Sequence, residues 1–464
     1  MTRLAGYAAL AFAALAAGAC GTLEPTVPEA RPDVPAKWEP AAGAAETAGA
    51  AGIGWRDFLA SPKLVALVEM ALANNRDLRV AVLNVERARA LHQIRRSDRF
   101  PSVDGSGALV RSGGDNRDTT SAYTASVGIT QFEIDLFGRV MSLDRAALER
   151  YFAEEENQRS VRLALVAEVA NAWLALAADR EQLRLARATL VTREDEFRLS
   201  GRRKELGAIS ALDHAQARTL VEAARADAAR YEGQVAADRN ALALLVGGPF
   251  DQALLPEGWE GPVTRWKGVP AGLTSELLLR RPDIRSAEHS LRAANANIGA
   301  ARAAFFPSIT LTGSAGTAAG ELSGLFKSGT FAWSVAPQLY LPIFQGGRLT
   351  AGLEVATADR DIALARYERS IQSGFREVAD ALAFSATLAD QRRALEATVE
   401  AASDADRLTR ARYQAGQDSY LGSLVNQRTL YVSQQGLITA RLAEQANWVT
   451  LYKVLGGDWK ESGP

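Results

Sequence analysis

Thiols and imidazoles are scarce: one cysteine and three histidines in 464 residues. Cys20 has no second cysteine to pair with, and His92, His214 and His289 lie far apart without metal-ligand spacing. No glycine-rich loop leads into Lys-Ser/Thr, so nucleotide chemistry lacks its cradle. An enzyme is therefore not expected, nor a metal or other cofactor. A surplus of either charge is also missing, since 53 Lys and Arg stand against 54 Asp and Glu. Without a basic surface there is no general attraction to nucleic acid. Proline is absent from residues 102–248 and 343–463, which leaves room for unusually long helices. In the first of them Glu168, Arg180, Arg184 and Arg187 speak against a bilayer span.

The start of the chain is a short basic segment, an apolar run over residues 4–19 and the small residues Ala17-Gly18-Ala19 before Cys20. This pattern predicts a signal peptide over residues 1–19 rather than a membrane span. It resembles a bacterial lipoprotein signal, although the position three before the cysteine is Ala17 where Leu is usual. The resemblance implies lipid attachment at Cys20, with palmitate among the acyl groups. Gly21, in place of Asp, points to the inner leaflet of the outer membrane. The alternative is an ordinary secretory signal with an incidental cysteine. Residues 20–54, rich in Pro, Ala, Gly and Glu, read as a tether without a core of its own.

The rest says one thing twice. Asn75-Arg76-Asp77-Leu78 and Phe100-Pro101-Ser102-Val103 return as Arg281-Pro282-Asp283-Ile284 and Phe306-Pro307-Ser308-Ile309. A period of about 200 residues is too long for a solenoid and reads as a duplicated half-domain. The first repeat covers residues 55–249, the second 274–457, with a linker at 250–273 and a tail at 458–464. Each repeat predicts a helix, two strands and a long helical hairpin. Val169, Leu176, Leu183, Leu190 and Phe197 recur every seven residues, a coiled-coil seam. Breaks at 201–207 and 416–419 put two hairpin tips at one end, marked by Gly207, Ser210, Gly416 and Ser419.

After each Phe-Pro the period changes to two. Tyr123, Val127, Ile129, Ile309, Leu311, Phe331, Trp333 and Val335 fall on the apolar side of strands about ten residues long, the length that crosses a membrane in a barrel. Tyr123, Phe331 and Trp333 are expected at strand starts, as an aromatic girdle. The segments 112–120 and 316–328 are expected to be loops. Four strands cannot close a barrel, and an open sheet cannot lie in lipid. Several copies must then share one barrel, two giving eight strands and three giving twelve. The rival reading is a lipid-anchored periplasmic coiled-coil scaffold without a pore.

The chain resembles the outer membrane efflux protein family, the TolC-like exit ducts of tripartite pumps, in its lipoprotein branch. The match is carried by Glu133-Ile134-Asp135-Leu136-Phe137-Gly138-Arg139, Ile298-Gly299-Ala300-Ala301-Arg302, Leu341-Pro342-Ile343-Phe344 and Ala415-Gly416-Gln417-Asp418-Ser419-Tyr420-Leu421. The resemblance implies a mainly α fold with a shared twelve-stranded β-barrel, built by a homotrimer in the outer membrane of a Gram-negative cell. It implies a periplasmic helical barrel whose tips meet a periplasmic adaptor coupled to an inner-membrane efflux transporter, and a role in multidrug resistance. It also implies a periplasmic gate at Leu421 and Arg428. The family's gate carboxylate is replaced by Val425, leaving Asp213 or Asp418 to supply the charge.

Overall fold

The computed structural model describes residues 22–38, 54–115, 117–266 and 275–457. The signal peptide, Cys20 and the tail lie outside them. Two compact units emerge, and each draws on both sequence repeats.

The first unit holds residues 83–157 and 285–370 with the described residues 22–32. Its centre is an antiparallel sheet in the order β1-β2-β3-β4: β1 is Asp104–Gly114, β2 Arg117–Ile134, β3 Ser308–Ala319 and β4 Phe331–Tyr340. The first hairpin reaches further than its sequence suggested, because both strands run through most of 112–120. Hydroxyl pairing continues there, with Ser112 and Thr120 3.0 Å apart. Tyr123 consequently lies well inside β2, not at its start. Between Ile129 and Phe132 the β2–β3 register shifts, and Gln131 takes a positive φ of 55°. The bulge moves Phe132 and Ile134 to the face they would otherwise have left.

Where β2 ends, the Glu133–Arg139 motif makes a corner. The Arg139 guanidinium clasps the Glu133 carboxylate, Asp135 accepts from the Met141 N–H at 2.8 Å, and Phe137 stacks on Phe306 at 4.7 Å.

The second unit is helical, and several of the helices have residues in both units. With α1 as Trp55–Phe58, α2 as Pro62–Asn74 and α3 as Arg76–Ser97, the long elements are α4 (Arg139–Glu205), α5 (Ala211–Val246), α7 (Arg348–Gln414) and α8 (Tyr420–Val454), and α6 is Pro282–Ala303. The helix α4 passes through Gly201, so the break expected at 201–207 narrows to the residues after Glu205. At 1.5 Å per residue, 67 residues measure about 100 Å. Arg225 of α5 pairs with Glu194 of α4 at 2.9 Å, and Arg392 of α7 with Glu444 of α8 at 2.8 Å. The two hairpins also meet: Gln427 donates to Glu196 at 2.8 Å and Tyr431 to Asp227 at 3.0 Å.

Val169 and Leu176 of the heptad row are fully buried, whereas Leu183 and Leu190 are partly buried against Ala186 and Tyr231. The core gathers around Phe58, Leu67, Trp173, Leu242 and Tyr452. Ser61 caps α2 by accepting from the Leu64 N–H, with Pro62 at its first position, as the sequence predicts. In the second repeat, buried Arg281 reaches Asp283, Glu377 and the Val454 carbonyl at 2.8, 2.7 and 3.0 Å.

One expectation needs correction. Residues 22–38 are not a free tether, since Asn295 donates to the Pro25 carbonyl at 2.7 Å and Trp38 stacks on Phe375 at 5.1 Å. Low periodicity hides such a strap, because it is held by backbone carbonyls and single side chains rather than by an apolar face.

Candidate functional site

The sheet has two chemically distinct faces. Register puts Tyr123 opposite Ala319, Val127 opposite Ala315, and Ile129 opposite Gly313. It continues to Trp333 opposite Ala315, Val335 opposite Gly313, Phe331 opposite Thr317, Leu339 opposite Ile309 and Pro337 opposite Leu311. Directly paired residues share a face, so all eight strand residues named from sequence lie on one side. Leu109, opposite Tyr123, and Phe132, opposite Leu311, join them. Both were missed, the first because β1 alternates weakly and the second because the bulge inverts its parity. Within one chain this face is uncovered: Val127, Phe331, Trp333 and Val335 are 57–71% exposed.

On the other face hydroxyls pair across the strands. Ser106 meets Ser126 at 2.9 Å, and Ser314 meets Ser334 at 2.9 Å. The arrangement is that of a wall, apolar outside and wettable inside.

At the far ends of the hairpins the two tips repeat one design. Gly207 and Gly416 take φ of 71° and 73°, the left-handed turn that ends a helix. Ser210 and Ser419 then cap α5 and α8 by accepting from the Asp213 and Gly422 N–H groups. Asp213 closes a capping box with Ser210. Asp418 is held by Arg412 at 2.7 Å, and this guanidinium keeps its carboxyl below the usual carboxylate range.

Neither carboxylate is thus brought to Arg428, which is exposed and has no ion pair among the described residues. Leu421, Val425, Arg428 and Val432 instead form one stripe of α8, spaced by helical turns, and the three apolar members are 47–59% exposed. The polar knot behind this stripe has no signature in the sequence. Arg193, Asp406 and Gln427 are buried there around a cavity of about 230 Å³. Charges on a long helix read as a solvated face, and only the second hairpin covers them.

Two of the histidines are engaged by carboxylates: His92 pairs with Asp144 at 3.1 Å and His289 with Glu149 at 2.7 Å, both mostly shielded from water. His214 stacks on Phe197 at 4.6 Å. Among the described residues no cluster of His, Cys, Asp or Glu is placed to hold a metal ion.

A family profile described as outer membrane efflux protein matches residues 67–248 and 273–457. The chain belongs to the outer membrane efflux protein family. This efflux protein is 45% identical over 464 residues to the probable efflux pump outer membrane protein TtgC of Pseudomonas putida, covering 97% of this chain and 95% of that one. It is 43% identical over 463 residues to the outer membrane protein OprJ of Pseudomonas aeruginosa, covering 98% and 96%. Its fold is similar to the open state of the Neisseria gonorrhoeae MtrE outer membrane channel, with a TM-score of 0.87 and 38% identity over 95% of this chain and 99% of that one. It is an efflux channel of the Gram-negative outer membrane, and its family is one of transport ducts.

Proposed function

We propose that three copies of this chain close one twelve-stranded barrel and form the exit duct of a tripartite efflux pump. The observation that carries the reading is the open four-stranded sheet with one apolar and one hydroxyl-lined face. Unpaired strand edges are intolerable in lipid, so the edges must be satisfied by sister copies. The hydroxyl face then lines a water-filled lumen, and substrates pass through it without a selective pocket. The tips at Gly207, Ser210, Gly416 and Ser419 dock a periplasmic adaptor, itself coupled to an inner-membrane transporter that supplies energy. Acylation of Cys20 adds an anchor in the inner leaflet.

The gate in this reading is apolar. Leu421 forms the constriction, with Val425 beside it, and Arg428 contributes a charged ring that lacks a carboxylate partner among the described residues. The test is conductance of the detergent-purified channel in planar bilayers, with particle symmetry read by electron microscopy. Wild-type channels are expected to be threefold and mostly closed. Leu421→Ala is expected to raise open probability several-fold and to sensitise cells to large antibiotics. Unchanged conductance in that variant, or a particle with another symmetry, would overturn the corresponding part of the proposal.

A further inference from the structure

The strap formed by residues 22–32 is seated on the first unit with more care than an anchor's leash requires. One face of α6 receives it: Asn295 donates to the Pro25 carbonyl at 2.7 Å, and Arg302 donates to the Leu23 carbonyl at 3.3 Å. Between them, in helical register, stands Gly299. A β-carbon there would come within 2.6 Å of both Glu24 Cγ and Ser142 Oγ. The missing side chain is therefore what admits Glu24, whose carboxylate is almost buried and pairs with Arg145 at 3.1 Å. The glycine of the Ile298-Gly299-Ala300-Ala301-Arg302 motif thus has a physical reason: it is the slot into which the strap locks.

What the lock positions is the residue before it. An open cleft of about 620 Å³ starts at Thr22 and Leu23 and is floored by Arg302, Phe305, Phe306 and Leu353. Its apolar floor adjoins the foot of β3, which begins at Ser308. Ile309 and Leu311 of β3 belong to the sheet's uncovered apolar face. Cys20 lies outside the described residues, but it precedes Thr22 by two positions, a reach of at most ~7 Å. The cleft is therefore within reach of a long aliphatic chain carried by Cys20.

We infer that the cleft bounded by Leu23, Arg302, Phe305, Phe306 and Leu353 seats acyl chain carried by Cys20, and that the strap fixes where this chain enters the inner leaflet. The inference rests on the proposed acylation of Cys20 and deepens it. The anchor becomes part of the channel's wall at the level where helices give way to strands. The occupant is this chain's own lipid; a free phospholipid or a second copy of the chain are the competing occupants.

The experiment uses cells fed a long-chain fatty acid that bears a photoreactive diazirine and a clickable end. The full oligomer is purified after irradiation, and cross-linked peptides are mapped by mass spectrometry. Label on wild-type chain, and its absence from Cys20→Ser, tests acylation itself. The inference expects cross-links on the peptides holding Phe305, Phe306 and Leu353 of the labelled chain. In Gly299→Leu, and separately in the double variant Asn295→Ala with Arg302→Ala, label at Cys20 should persist while these cross-links fall at least tenfold. The second variant keeps the test valid if the first does not assemble. Cross-links confined to the strands, confined to another copy, or unchanged in the assembled double variant would overturn the seat while leaving the anchor intact. Cross-links at the cleft that persist in Cys20→Ser would assign it to free phospholipid.

Discussion

Two residues show how charge is managed where water is scarce. Arg281 gathers a carboxylate from its own turn, another from α7 and the carbonyl that ends α8. Arg281→Met would leave these acceptors unanswered. Because Asp283 and Glu377 remain partly in water, the expected cost is about 2–3 kcal/mol, below the ~3–5 of a fully buried pair. Thermal melting of the detergent-solubilised oligomer measures it. Asp179 is the opposite case, a carboxyl with too little positive charge nearby. Burial, and next the hydrogen-bonded Asp238 carboxyl, push it up to about 7 from an ordinary value of 3.8. Between those values the folded chain keeps a proton that the unfolded chain has lost, so this group makes stability fall as pH rises through the window. Asp179→Asn should raise the melting temperature at pH 8 and change it little at pH 4. An unaltered pH dependence would remove Asp179 from the account.

Strands and helices carry the next set of consequences. Val127 and Val335 share the apolar face with Trp333, whereas Ser126 pairs with Gly316 on the hydroxyl face. Val127→Arg or Val335→Arg is expected to cost roughly 2–4 kcal/mol near mid-membrane and to abolish the heat-resistant oligomer. Ser126→Arg, aimed into the lumen, should leave the oligomer intact and narrow conductance. Such elements were readable in the sequence because their periods are strict: Ile309, Leu311, Trp333 and Val335 alternate without interruption, and the Gly and Ser pairs at the tips have one structural use. The misreadings have equally definite causes. Phe132 breaks the alternation by an inserted residue, and the ends of β1 and β2 carry Ser and Thr that resemble loop composition but pair across strands. A sequence also cannot display that Asp213 caps with Ser210 and that Asp418 pairs with Arg412. Residues 22–38 carry no pattern at all, and their order comes from the helices α4, α6 and α7 rather than from themselves.

At the level of the whole molecule, most of the fold was legible from the duplication, and the number of copies was not. Repeats report on internal symmetry, while copy number depends on how the sheet curves at its two open sides. If several chains share one wall, differently tagged copies expressed together should co-purify after solubilisation, and should fail to exchange when mixed after purification. Exchange on mixing would indicate that each chain is stable alone and would contradict a shared wall.

The outer strands β1 and β4 each have a neighbour on one side only. A variant that blocks one of these sides, such as proline at a ladder position, harms every assembly it enters, not just its own product. In a cell carrying both alleles far fewer than half of the exits would survive. Such a mutation is expected to behave as genetically dominant, whereas one that merely unfolds the chain before assembly should be recessive.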